Sequence, residues 1–345
     1  MKWRARSAKR SASVCDARRW ASSARVDTAL PTEATATDLR NSRRFIVSDH
    51  NSVMVQKTAL RSIAVIAAIL LVAPLHAAAK TFAWKASGKG GTVYLVGSVH
   101  LLSQDFYPLN PALEAAYKDS ALLVEEVDLG EMSAPEQQFS LLSRGMLPSS
   151  QSLDTVLTPQ TLALLNKKLG DLGALAEPLK RFKPWMAALT IESLEWVKAG
   201  FDPNFGLDKH FYDRAKTDGK TVEGFETADF QVSLFDQMPM KEQDQLLAST
   251  LKDIDAEQAN MSKLIGAWRN GDAPTVEQIV LADLKTESAL YQRVLVGRNR
   301  NWMPKIEALF GRNGRAFIVV GAAHLVGPDG LLSMLRAKGY TLEQL

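Results

Sequence analysis

The stretch Tyr94-Leu95-Val96-Gly97-Ser98-Val99-His100-Leu101 returns more than two hundred residues later as Ile318-Val319-Val320-Gly321-Ala322-Ala323-His324-Leu325. Each copy reads as a strand that runs into a glycine and, three positions on, a histidine. A glycine at that point lets a neighbouring backbone or a ligand come close. In open α/β sheets ligands bind just outside the C-terminal ends of the strands, and each histidine falls there. If the two strands lie side by side, His100 and His324 face one crevice, and neutral imidazole is a good ligand for divalent transition metals. The plainer alternative is a pair of loop histidines that hydrogen-bond backbone.

Residues 81–86 and 92–96 form two strands around the turn Gly90-Gly91, a hairpin by spacing. Ala121-Leu122-Leu123-Val124 is a continuous apolar run, typical of a strand buried on both faces, and it ends in Glu125-Glu126-Val127-Asp128. Between them Asn110-Pro111-Ala112-Leu113-Glu114 opens a short helix, with asparagine as N-cap and proline at the first position. Strand, helix and strand at this spacing suggest a βαβ unit. The middle of the chain, 131–310, reads mostly as helix. One helix is capped by Thr158 and ended by Gly170, others cover 184–198 and 204–216, and a last one covers 287–310, where Pro304 can kink it. A short strand at 221–225 interrupts them and ends at Glu226. Sheet returns at 316–320, a helix runs from Pro328-Asp329-Gly330 to Lys338, and 339–342 begins an edge strand. The fold class expected is α/β: a central mixed β-sheet flanked by helices, with a large helical insertion between the N-terminal and C-terminal sheet segments.

Not all 345 residues belong to that fold. Residues 1–53 are rich in Arg, Ser and Ala without apolar periodicity, and read as a disordered or untranslated extension upstream of a second start at Met54. A basic segment, an apolar core over 63–73 and the small-residue run Ala77-Ala78-Ala79 read as a signal peptide over 54–79, the alternative being an uncleaved membrane anchor or a buried helix. The apolar core is short of the roughly 20 residues that a membrane span needs. This leaves 80–345 as one domain, periplasmic or secreted, with no stable membrane span after cleavage. Residues 1–61 hold 13 Lys and Arg against 5 Asp and Glu while the whole chain nets +3, so 62–345 net −5. The basic charge therefore belongs to the leader, which argues against nucleic acid as a partner. Cys15 is the single cysteine and lies in the extension, so the domain has no disulfide, thiolate zinc site or cysteine nucleophile.

Carboxylates complement the histidines. Glu126 ends the 121–124 strand, with Asp128 beyond it, and Glu226 ends the 221–225 strand. Two histidines and one carboxylate form a common catalytic metal set with open positions, while Glu226 is a second candidate as ligand or general base. Arg298 falls on the apolar stripe of Tyr291, Leu295, Trp302, Ile306 and Leu309. A cation facing the core needs a partner, here Glu126 or Glu226, or it polarises a substrate carbonyl; the alternative is a packed stem whose head reaches water. His210 lacks the glycine context and reads as structural or exposed, and Asp208 beside it is undecided. Ser98 lacks the Gly-x-Ser-x-Gly elbow of a serine nucleophile, and no phosphate loop or dinucleotide fingerprint is present.

These motifs resemble the TraB/GumN family, which is related to the Tiki metalloproteases and more distantly to erythromycin-esterase-like and ChaN-like proteins. The resemblance is carried by the residues 94–101, Glu126-Val127-Asp128, Gly206-Leu207-Asp208, Gly224-Phe225-Glu226-Thr227, Arg298-Asn299 and the residues 321–327, in the family's order and across nearly all of 80–345. Phe225 stands where the family usually has leucine. The resemblance implies an α/β core with both Gly-x-x-His histidines and a glutamate at one site. Tiki-like members are metal-dependent peptidases activated by manganese or cobalt; others are linked to pheromone shutdown in conjugation or lie beside polysaccharide genes. The expectation is thus an exported metal-dependent hydrolase acting on a peptide or other small polar substrate. A divalent ion (manganese, cobalt or zinc) would be held by His100, Glu126 and His324. Glu226 would be base or outer partner, Arg298 would stabilise the oxyanion, and Asp208 and Asn299 would be binding residues. The alternative is a non-catalytic periplasmic protein that binds a peptide or saccharide.

Overall fold

Residues 316–320 offer nothing polar to solvent, and the chain buries all five in the middle of a sheet. The computed structural model describes residues 80–345 apart from 174, 175, 287 and 313. The expected extension and signal peptide lie outside the described residues. The strands are β1 (Ala83–Gly88), β2 (Gly91–Ser98), β3 (Ser120–Glu125), β4 (Thr221–Gly224), β5 (Arg315–Gly321) and β6 (Thr341–Gln344), in the order β4-β3-β5-β2-β1-β6. The first four in that order are mutually parallel, and β1 and β6 close the far side antiparallel, so the sheet is mixed. β2 and β5 are neighbours with Ser98 opposite Gly321. The strands that carry the two repeated stretches therefore end together, as their C-terminal histidines require.

Helices flank the sheet. Asn110 caps Pro111–Lys118 by accepting the Ala112 amide at 2.9 Å, and this helix links β2 to β3 with β5 lying between them. Between β3 and β5 the described chain contributes β4 and is otherwise helical or irregular. The helix capped by Thr158 spans Pro159–Leu172 and runs through Gly170; one glycine costs only about 1 kcal/mol inside a helix and need not end it. Pro184–Lys198 has the expected bounds. The expected 204–216 helix divides into a tight turn, Pro203–Phe205, and the helix Leu207–Thr217. The 287–310 helix is broken by a π turn over Gln292–Val296, after which Gly297–Phe310 continues past Pro304. That helix buries Arg298, Asn299, Trp302, Met303, Ile306, Leu309 and Phe310, so a cation and an amide share its apolar face.

Two hydrophobic cores result. The larger surrounds the sheet, with Leu95, Leu123, Phe317 and Trp302 among its members. The smaller lies among helices and holds Leu153, Leu165, Leu169, Ile191 and Leu247. The long helix Met240–Arg269 supplies Leu247 to the smaller core and Ile265 and Trp268 to the larger.

Candidate functional site

Because β2, β3, β4 and β5 are parallel, their C-terminal ends share one edge, and the side chains just past those ends meet there. Backbone bonds from Phe225 to Glu125 and from Glu226 to Glu126, both 2.9 Å, carry the β3–β4 pairing beyond the strands and set both glutamates at the same level. Gly321 is the floor. A Cβ there would stand 3.2 Å from Glu126 Oε1, 3.7 Å from His324 Cδ2 and 3.9 Å from His100 Nε2. The glycine leaves open the space that the three residues face.

Each of the three has a fixed partner. His100 Nδ1 lies 3.2 Å from Asp208 Oδ2, and Ser98 Oγ donates to Asp208 Oδ1 at 2.9 Å. The Asp208 carboxylate lifts the exposed His100 imidazole to about 9, so it carries a proton at neutral pH. Asp208 itself is kept below the usual carboxylate range: burial pushes it up, but His100 and the bonds from His100 and Ser98 outweigh that. His324 is buried. Asn299 Nδ2 donates to the carbonyls of His324 (3.2 Å) and Asp329 (2.8 Å), so its Oδ1, 2.6 Å from His324 Nδ1, is the acceptor. The proton therefore sits on Nδ1, and Nε2 carries the lone pair. Burial pushes His324 down to about 3, so it is neutral at physiological pH. Glu126 Oε1 accepts the Gly321 N–H at 2.7 Å. Burial raises its carboxyl, yet Arg298, the two histidines and that N–H hold it far below the ordinary range.

Arg298 closes the site from the inner side. It donates through Nη2 to Glu126 Oε2 at 2.5 Å, through Nε to Glu226 Oε1 at 2.9 Å, and through Nη1 to His324 Nε2 at 3.0 Å, with a further short bond from Nη2 to Glu226. Its guanidinium lies over the Trp302 ring, 4.7 Å from the centroid, and Trp302 Nε1 donates to Glu226 Oε2 at 2.9 Å. The expected pairing of the core-facing cation is thus found with both glutamates. Glu226 has both oxygens engaged by Arg298 and Trp302, which is the outer-partner arrangement rather than that of a free base. His210 packs against Tyr107 and Phe211, at 4.9 and 5.1 Å between ring centroids, outside this cluster.

A cavity of about 90 Å³ opens at the edge, lined by Ser98, His100, Glu126, Asp208, Gln231 and Glu125, with backbone and apolar groups completing it. Glu125 was not singled out in the sequence. It is 2% exposed, and burial together with the nearby Asp208 charge pushes it up to about 9, against the lowering effect of the Leu129 backbone N–H. Its position inside a strand hid it, though a second acid beside Glu126 was the available signal. Gln231, which donates to Glu126 Oε2 at 3.2 Å, left no comparable mark in the sequence.

His100, Glu126 and His324 are residue types that ligate divalent transition ions, and Gly321 leaves space beside them, though His100 would first have to release its proton. Arg298 now donates to two of those three donors. Among the described residues, no three His, Cys, Asp or Glu side chains converge on one point closely enough to hold an ion in this arrangement.

A mixed α/β sheet with two Gly-x-x-His histidines and a buried Arg–Glu cluster at the C-terminal edge of its four parallel strands defines the class. The chain belongs to the TraB/PrgY/gumN family, whose sequence model matches residues 82–344. It is 27% identical over 243 residues to the uncharacterized protein YbaP of Escherichia coli (strain K12), covering 70% of this chain and 87% of that protein. The YbaP of Shigella flexneri matches to the same extent. No solved structure matches significantly.

Proposed function

We propose that this protein is a metal-dependent hydrolase of peptide bonds, in which His100, Glu126 and His324 hold one divalent cation. The observation that carries the reading is that His100 Nε2, Glu126 Oε1 and the His324 ring edge lie around the space beside Gly321, with Asp208 and Asn299 bonded to the two Nδ1 atoms. Ligating histidines typically have the remote nitrogen fixed in this way. An ion held by these residues would supply a Lewis acid able to activate water at neutral pH. Asp208 orients His100, Asn299 fixes the tautomer of His324, and Glu226 with Trp302 holds the Arg298 guanidinium in position to stabilise a developing oxyanion. The reaction class draws on the resemblance of these motifs to the Tiki metalloproteases, and the metal is manganese, cobalt or zinc. Metal should copurify with the wild-type protein and be lost in the His100→Ala/His324→Ala double variant, and chelation should abolish peptide cleavage. Equal metal content in the two proteins would refute the reading.

One observation favours a second reading. Arg298 donates to both Glu126 and His324, as in a non-catalytic protein that captures a peptide or saccharide in a charge-balanced crevice. That reading requires ligand affinity that survives chelation and no turnover.

Export is part of the proposal. The protein recovered from a periplasmic extract should begin at Lys80 by N-terminal sequencing; a mature chain that retains 54–79 would remove the signal peptide from the account.

A further inference from the structure

Beside the crevice lies a second, larger cavity of about 490 Å³, within the range that binds small molecules. Its walls are Leu101, Leu189, Trp196, Leu264, Trp268 and Val280, and it meets the crevice at Ser98, His100 and Gly321, which line both. Nothing in the proposed chemistry uses it. Trp268 is its firmest wall. The indole N–H donates to Gly97 O at 2.7 Å, and Phe106 packs against the ring at 6.0 Å between centroids. With its one polar atom bonded to the end of β2, the indole presents only apolar surface to the cavity. Trp196 is braced edge-on by Phe201 at 5.2 Å. The backbone of Ala322 and Ala323, the two small residues between Gly321 and His324, lines the side next to β5.

The polar side chains of the lining are few: Ser98, His100, Glu192 and Ser193. Glu192 and His100 are the ionisable side chains of the lining, and His100 is engaged by Asp208. Against these few polar groups the apolar side chains make up most of the wall, so a charged or polar occupant would lose water with few partners to replace it. A bulky apolar group loses nothing on entry and gains the burial of its surface.

We propose that this cavity is the subsite for a bulky apolar side chain, aromatic or large aliphatic, of the peptide residue next to the bond presented at His100. The word substrate rests on the hydrolase reading; the apolar subsite rests on the cavity itself.

The neutral fluorophore N-phenyl-1-naphthylamine, titrated into the full chain, separates the two. Saturable binding is expected, weakened about tenfold or more by the filling variants Leu264→Trp and Leu189→Trp, and displaced by N-acetylphenylalaninamide. Two variants on different helices guard against one that fails to fold, and displacement from the wild-type protein needs neither. With metal added, the filling variants should lose about tenfold or more in kcat/KM on peptides bearing Phe or Leu next to the cleaved bond. Peptides bearing Ala there should keep their rate. Absence of probe binding, binding indifferent to both filling variants, or an equal loss on Phe and Ala peptides would each overturn the subsite. So would filling variants that change the oligomeric state while probe affinity stays the same, since the face would then dock a second copy. Probe binding that the filling variants abolish, with no peptide cleaved under any metal, would reject the hydrolase and retain the apolar subsite.

Discussion

Asn299 shows how one amide can decide what a histidine offers. Fully buried, it gives both its N–H groups to carbonyls, of His324 and Asp329, and so turns its oxygen to His324 Nδ1. The lone pair of His324 is then confined to Nε2, the atom that faces Glu126 and Arg298. Leucine has the branched shape of asparagine but none of these bonds. Asn299→Leu should lower stability by about 1–3 kcal/mol, because a buried N–H and two carbonyls lose their partner. It should also weaken metal binding about 10–100-fold, the usual cost of losing the group behind a ligating histidine. Urea denaturation and metal titration measure the two effects; a stability loss with unchanged metal affinity would mean that His324 does not serve as a ligand. Arg298 makes the complementary point. It is held by two carboxylates, an imidazole and an indole, and a buried arginine in such company is a positional device as much as a source of charge.

At the level of elements, the site depends on how closely the helix Leu207–Thr217 approaches the end of β2. Gly206 lies against the His100 carbonyl, where a Cβ would stand 2.2 Å from the oxygen, and Leu207 N donates to Val99 O at 3.2 Å. This contact delivers Asp208 to both His100 and Ser98. Gly206→Ala should push the helix away, costing about 1–3 kcal/mol through overpacking. It should also move the His100 pKa down from about 9 toward the ordinary histidine value, since the Asp208 charge is what raises it. A proton NMR titration of the imidazole follows this directly, and an unshifted value would show that the helix start does not set the pair. The motif Gly206-Leu207-Asp208 was visible in the sequence, but its purpose was not, because the contact joins residues more than a hundred positions apart. The same holds throughout. β2, β3 and β5 were legible because a continuous apolar run bounded by glycine or acid has few other uses, and Pro184–Lys198 because proline opens it. The π turn at Gln292–Val296 carries no residue signal, and the placing of β5 between β2 and β3 is set by packing over the whole chain. The two histidines and Glu126 could be inferred from strand ends alone. Glu125, Gln231 and the pairing of Arg298 with both Glu126 and Glu226 could not, since burial and distance decide them.

Across the whole molecule, the edge that carries the crevice belongs to the larger core, and the helical region has a core of its own. Part of that region is tied together by charge. Asp236, at the end of the helix Ala228–Asp236, accepts from Lys183 Nζ at 2.6 Å and from Arg144 Nε at 3.1 Å. Arg144 lies in the helix Pro135–Gly145 and Lys183 caps Pro184–Lys198, so one carboxylate joins three helices. Burial pushes the Asp236 carboxyl up, but the bonds from Lys183 and Arg144 and their charges outweigh it, and its pKa lies below the ordinary aspartate value. The folded protein therefore releases this proton more readily than the unfolded chain does. The stabilisation is complete at pH values above the unfolded aspartate pKa and is lost as pH falls through the lower folded value. Asp236→Asn should accordingly lower the urea midpoint at pH 7, and the gap from wild type should narrow as pH is taken down through the aspartate range. Because the side chain is 18% exposed, the effect should sit near the upper end of what surface ion pairs contribute, about 1 kcal/mol. A gap that stays constant from neutral to acid pH would mean that the cluster contributes through packing alone, and that charge does not hold these three helices together.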